Sequence, residues 1–490
     1  MEYGNDCGTR GQNMNTTLRR ISLWATMVCA FGCGNNNTKP TKTIPLGAVL
    51  ARTGAYGDGS ADNDTDLAIS HMNAALAKVG SEVRFGLSHS DSAGTPAVAV
   101  ARAQELVAAG AKALVVDVSP DDLEILALQY GTNEAAKLNV PLLGMSVTSP
   151  LANNPNACKT GNQPDCTSGV DDNGDNAYTR ALRDAEHWNF RTNANTAQQA
   201  AIIAKVAQAK GQVTYKASVL YSNDGYGNGA LPGTTAALKA NGFTTVESIK
   251  ICAVVDATCT EAVGANDMAK FNAWVAQALD NMTGATQDTF PDVIVVQTTP
   301  AYVVGVIRAY KQVVPATSIP IIHCSALRTT KVLNGLGSDA DGSEGVGPIV
   351  ADGIPGQVFQ AAYQSTYGVQ LVNYDSNAYD AAALAMLASL IAGNGLTDPT
   401  TITGTQIRAA LASTSTAGGQ VVGTGTDEFV KAINFITQGT PINYEGASGP
   451  LDFDANNQVV NRVAHFKIVG TTFVDIGVYD CVSDPSCPKL

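Results

Sequence analysis

Hydroxyl and aromatic side chains gather in loops that follow short apolar runs of this chain. Tyr56 stands in the Gly-rich loop after Ile44–Leu50, Ser119 follows Ala113–Val118, and Ser146 and Thr148 follow Val140–Met145. Tyr226 comes after Lys216–Tyr221, and Thr298-Thr299-Pro300-Ala301-Tyr302 after Asp292–Gln297. Groups of this kind hydrogen-bond to a small molecule and stack on it without breaking bonds in it. Asp121 and Asp122 share the turn behind Ser119 and place carboxyl groups among the hydroxyls.

Catalytic patterns are scarce. The chain has no P-loop, no G-x-S-x-G elbow and no H-E-x-x-H, and its five histidines leave little for acid–base or metal-assisted chemistry. Gly225-Tyr226-Gly227-Asn228-Gly229-Ala230 fits G-x-G-x-x-A, but Ser222-Asn223-Asp224 separate it from its strand and Pro232 delays the expected helix. It reads as a Gly-rich loop over Ser222–Gly229 followed by a helix over Pro232–Asn241. Asp171-Asp172-Asn173-Gly174-Asp175 imitates a calcium loop, yet Asn176 stands where the glycine is needed and Leu182 where the closing glutamate is needed. No enzyme activity, cofactor or metal is expected.

The elements that position these loops alternate. Apolar runs short enough for buried strands are followed by helical patterns, as in Ile44–Leu50 leading to Leu67, Ile69, Met72 and Leu76. That rhythm predicts an α/β fold with doubly wound parallel sheets, in which strand-to-helix loops share one edge. Thr196–Ala209, Lys216–Tyr221, Thr244–Ile251, Met268–Leu279 and Tyr302–Val313 repeat the plan. Ser119 reads as a helix N-cap, and Val463–Val469 with Phe473–Val478 as a closing hairpin. Residues 153–187 read as a polar surface insertion.

With 490 residues, 45% hydrophobic and 15% charged, the chain has enough core for two lobes. A net charge of -13 argues against nucleic acid as a partner. Arg19-Arg20, the apolar run Ile21–Gly32 and then Cys33 read as an export signal, with the residues before Met14 as an upstream extension. Ala30-Phe31-Gly32-Cys33 resembles a bacterial lipobox, with Phe31 larger than usual, and makes Cys33 the expected lipidation site. The close pairs Cys158 with Cys166, Cys252 with Cys259, and Cys481 with Cys487 read as local disulfides of an oxidising compartment, leaving Cys324 as a buried thiol.

The loops and their order together resemble the leucine/isoleucine/valine-binding family of periplasmic binding proteins, type I, over nearly all the chain after Thr41. The residues carrying the likeness include Thr53-Gly54-Ala55-Tyr56-Gly57, Val140-Pro141-Leu142 leading to Thr148-Ser149-Pro150, and Phe190-Arg191-Thr192. Asp224-Gly225-Tyr226-Gly227, Ala378-Tyr379-Asp380-Ala381 and Gly449-Pro450-Leu451-Asp452-Phe453-Asp454 complete it.

The resemblance implies two lobes joined by three hinge crossovers near residues 190, 350 and 446. It divides the chain into a signal segment 1–33, a tether 34–42, lobe 1 (43–190 and 351–446), lobe 2 (191–350 and 447–478) and a stapled tail 479–490. It further implies capture of a small amino-acid-like ligand by lobe closure and its delivery to an ABC permease, by a monomer anchored through lipid in the periplasm or cell envelope. A sensory subunit without transport, or an exported enzyme, stay open as alternatives. The ligand would meet Tyr56, Ser119, Asp121, Ser146, Thr148, Tyr226 and Tyr302. Two positions depart from the family: Asp121 and Asp122 replace the usual hydroxyls, and Ala326 stands where an acid pairs with the ligand's ammonium.

Overall fold

The computed structural model describes residues 41–57, 61–150, 152–154, 177–280, 290–313 and 319–490. Cys33, Cys158, Cys166 and the Asp171–Asp175 stretch lie outside them.

The first sheet grows from the opening strand. β1 (Lys42–Leu50) pairs in parallel with β2 (Val83–Asp91), in register from Lys42 opposite Val83 to Leu50 opposite Asp91. β3 (Leu114–Val118), β4 (Leu142–Ser146) and β5 (Asn189–Arg191) extend it in the order β2-β1-β3-β4-β5. Helices α1 (Ala61–Lys78), α2 (Pro96–Ala108) and α3 (Ser119–Tyr130) are the crossovers that parallel pairing demands. A short α4 (Ala177–Arg183) packs on α3, so the end of the presumed surface insertion is helical, with Ala181 and Leu182 fully buried.

After α5 (Thr196–Ala209) come β6 (Lys216–Ser222), α6 (Gly225–Ala240), β7 (Thr245–Ile251) and α7 (Met268–Asp280). β8 (Val293–Gln297), α8 (Pro300–Val313), β9 (Ile321–His323), α9 (Thr330–Leu336) and β10 (Glu344–Pro348) follow. The chain then returns to the first sheet through α10 (Ile354–Tyr367), α11 (Asp375–Gly393) and α12 (Gly404–Leu411). Next are β11 (Gln420–Val422), α13 (Thr426–Thr437), β12 (Ile442–Gly446) and β13 (Gly449–Pro450), whose strands form a small sheet in the order β11-β12-β13. β14 (Val463–Val469) and β15 (Thr472–Tyr479) close the second sheet, of order β15-β14-β10-β9-β8-β6-β7. Their antiparallel hairpin lies beside β10, on an otherwise parallel array.

Alanine explains how α11 fits. Ala378, Ala381, Ala382, Ala383, Ala385 and Ala388 are all buried, so the helix lies close to α1, α12 and β4. The larger Leu384, Met386 and Leu387 fill what remains and are completely buried. Each such side chain contributes roughly 1.5–3 kcal/mol when removed from water.

The supposed Gly-rich loop at Ser222–Gly229 is mostly helix. Asp224 caps α6, its Oδ1 accepting from the N–H groups of Tyr226 at 3.1 Å and Gly227 at 2.8 Å. Gly227 is required for a steric reason: a Cβ there would lie 2.0 Å from the Ser222 carbonyl oxygen. A strong cap and a tight strand–helix approach thus override the poor helix propensity of glycine.

Cysteines 252 and 259 form a disulfide, as do 481 and 487, and Cys324 is a buried thiol. No helix among the described residues is long and apolar enough to cross a membrane.

Candidate functional site

Both sheets end at one cleft. From the first sheet come Tyr56 after β1, Asp117, Val118, Ser119 and Pro120 at the end of β3, and Met145, Ser146 and Thr148 at the end of β4. From the second come Tyr226 at the start of α6, Thr298, Thr299 and Pro300 after β8, and Ser325, Ala326 and Thr329 after β9. Asn373 and Tyr374, just before α11, complete the lining. The cleft's volume is ≈ 80 Å³, several times the ~10–15 Å³ that admits one water on the same scale. A compact ligand is the right size.

Hydrogen bonds hold the first wall. Ser119 does not cap α3, whose N-cap is Val118. Its Oγ reaches sideways instead and accepts from the N–H groups of Thr148 at 2.9 Å and Ser149 at 3.1 Å. Ser146 donates to Asp117 Oδ1 at 2.7 Å, while Asp117 Oδ2 accepts from the Ala51 N–H at 3.2 Å. Beneath them the fully buried Arg191 donates to the Ser149 carbonyl at 2.6 Å and to the Val147 carbonyl at 3.3 Å, fixing the loop that carries Thr148. Burial pulls the Arg191 guanidinium down to about 10, with Asp122 opposing the shift.

The second wall is equally ordered. Tyr226 donates to Gln297 Oε1 at 3.0 Å, and Gln297 donates in turn to Thr234 at 3.0 Å. Burial holds the Tyr226 phenol well above its ordinary range, so it remains a neutral donor. Tyr374 takes a left-handed backbone, φ 67°, an uncommon and costly conformation for a bulky residue. Tyr374 lines the cleft, with its phenol oxygen 3.0 Å from Ser325 Oγ.

Tyr56, Ser119, Ser146, Thr148 and Tyr226 therefore meet in one cleft. Asp121 and Tyr302 lie elsewhere. Asp121 is completely buried behind the lining, and burial, opposed by the Ser92 hydroxyl and reinforced by Asp117 and Asp91, pushes its carboxyl up to about 7. Tyr302, in the first turn of α8, packs against Phe271 and donates to the Val263 carbonyl at 2.9 Å. Asp117, Ser325, Asn373 and Tyr374 escaped the sequence reading. Asp117 had a signal, since a lone acid inside Val-Val-Asp-Val is costly unless it is used.

No family model and no curated protein matches the sequence. Solved structures do. The chain is similar to the branched-chain amino acid transporter substrate binding protein LivJ from Streptococcus pneumoniae in complex with isoleucine, at 14% identity and TM-score 0.58, covering 88% of this chain and 98% of that one. It is similar to the leucine binding protein LivK from Thermotoga maritima, at 14% identity and TM-score 0.59, with 89% and 98% covered. A solute binding protein of an ABC transporter from Rhodopseudomonas palustris, in complex with 3,4-dihydroxy benzoic acid, shares 17% identity and TM-score 0.58, with 90% and 99% covered. The fold is that of the type I periplasmic binding proteins, two α/β lobes facing across a cleft. More narrowly, its solved neighbours are binding proteins for branched-chain amino acids and for aromatic acids.

Proposed function

We propose that this protein is the extracytoplasmic solute-binding subunit of an ABC importer, anchored by lipid at Cys33, that captures a small polar or amphipathic molecule in this cleft. The observation carrying the proposal is the convergence of strand ends from both sheets on a single small cavity lined by hydroxyls and tyrosines. Ligands of open α/β sheets sit at such strand ends. The neighbours named above are substrate-binding proteins, which favours binding over turnover.

Capture works through lobe closure: a ligand touching both walls stabilises the closed arrangement by its differential affinity for it. The hinge would lie at the crossovers near residues 190, 350 and 446, dividing the chain into lobe 1 (43–190 and 351–446) and lobe 2 (191–350 and 447–478). Tyr56, Ser119, Ser146, Thr148 and Tyr226 are the proposed ligand contacts shared with the sequence reading.

A thermal-shift screen of amino acids, amides, amines, aromatic acids, short peptides and sugars tests the proposal. A ligand at a hundred times its Kd stabilises the fold by ~2.7 kcal/mol, an upward shift that such a screen detects. No shift from any class would overturn it.

A further inference from the structure

The cleft has a sign. Among the described residues its lining holds one carboxylate, Asp117, and no lysine or arginine. Arg328, the closest basic residue in sequence to Ala326, is turned away: it donates to Asp475 at 2.7 Å and lies against the Phe466 and Phe473 rings.

Two backbone N–H groups and one hydroxyl of the first wall, which could otherwise grip an anion, are already engaged. The N–H groups of Thr148 and Ser149 donate to Ser119, and the Ser146 hydroxyl donates to Asp117. Pro120, at the head of α3, has no N–H to offer. Acceptors remain. Asn373 Oδ1, an acceptor only, and the Thr298 and Thr299 hydroxyls, which can accept as well as donate, are buried without a partner among the described residues, and all three line the cleft. Tyr226 and Tyr374 add ring faces, which attract a cation through the aromatic quadrupole.

Resting on the solute-capture reading, we infer that the ligand is a small organic cation, an ammonium compound without a free carboxylate, whose charge is read by Asp117 from the first lobe. Val118, Met145, Pro300 and Ala326 provide an apolar surface for its carbon skeleton. One neighbour was crystallised with isoleucine, a zwitterion, and another with 3,4-dihydroxy benzoic acid, so an ammonium compound without a carboxylate would differ from both in charge.

Calorimetry with charge-inverted probe pairs tests the inference: benzylamine against benzoate, and L-leucinamide against L-leucine. The wild-type protein should bind each amine at least tenfold more tightly than its carboxylate partner, and less tightly as salt is raised. Asp117→Asn should weaken the amines at least tenfold. A carboxylate binding as tightly as its amine, or Asp117→Asn retaining wild-type affinity for the amines, overturns the inference and leaves solute capture standing. Absence of binding by all four probes also overturns it, and solute capture then falls only if the broader thermal-shift screen gives no shift. Should Asp117→Asn fail to fold, the wild-type comparison decides alone.

Discussion

The backbone N–H of Ala301, in the first turn of α8, donates to the carbonyl of Ala55, in the loop after β1, at 3.3 Å. This joins the strand-end faces of the two sheets at the cleft's edge. Lys331, on α9, reinforces it by donating to the Gly54 carbonyl. On the lobe-closure reading proposed above, these contacts hold the closed form, and the Lys331 contact is an exposed one.

Lys331→Ala should loosen that closure without touching the cleft lining. An exposed charged contact of this kind contributes about 0.2–1 kcal/mol, so ligand release should speed up by no more than roughly fivefold. Stopped-flow displacement measures it. A release rate equal to wild type would show that the contact plays no part in closure.

Thr298 and Thr299 present hydroxyls that no group among the described residues satisfies. Replacing either with valine keeps the shape and removes the hydrogen bond. Affinity should fall by about 0.5–1.5 kcal/mol for a neutral ligand group and about 1.5–3 kcal/mol for a charged one, while the melting temperature of the free protein holds or rises. If both variants bind as wild type does, these hydroxyls do not meet the ligand.

Asp121 sets a pH dependence. An unfolded aspartate titrates near 3.9, whereas burial pushes the folded carboxyl up to about 7. The folded state keeps a proton that the unfolded chain has lost, so this group's contribution to stability declines as pH rises from about 4 to about 7 and is level above. Asp121→Asn should remove that slope and gain about 1–3 kcal/mol over wild type at pH 8, with little gain at pH 4. Urea melts across that range check it, and a gain independent of pH would contradict it.

Asp380 on α11 organises the turn from β12 to β13. Its carboxylate accepts from the Tyr444 hydroxyl at 2.8 Å, the N–H groups of Ala447 at 2.8 Å and Ser448 at 2.8 Å, and the Ser448 hydroxyl at 2.7 Å. Gly446 must be glycine for this approach, since a Cβ there would sit 2.4 Å from the same carboxylate. Asp380→Ala strands these buried donors and should destabilise the protein by about 3 kcal/mol or more. A urea midpoint near wild type would show that the turn holds itself.

The sequence disclosed the fold more fully than the cleft. Alternation of apolar runs and helical patterns marks parallel sheets, and parallel sheets bring strand-end loops together whatever their distance in sequence. Tyr56, Ser119, Ser146, Thr148 and Tyr226 could be found for that reason. Rotation of the first helical turn is not encoded so simply, so Tyr302 reads as a cleft residue yet faces Phe271 and Val263. Tyr374 depends on a left-handed backbone that its residue type disfavours, and only the packing around α11 supplies it. α13 went unread although Phe429, Ile433 and Ile436 keep a helical spacing, and the small sheet beside it has strands too short to show a period.

Small-angle X-ray scattering of the protein alone, and saturated with the tightest-binding compound of the screen, tests capture by closure most directly. The ligand-free protein should be the more extended, and saturation should lower its radius of gyration toward that of the closed arrangement described here. Identical scattering curves, despite a thermal shift that proves binding, would contradict capture by lobe closure.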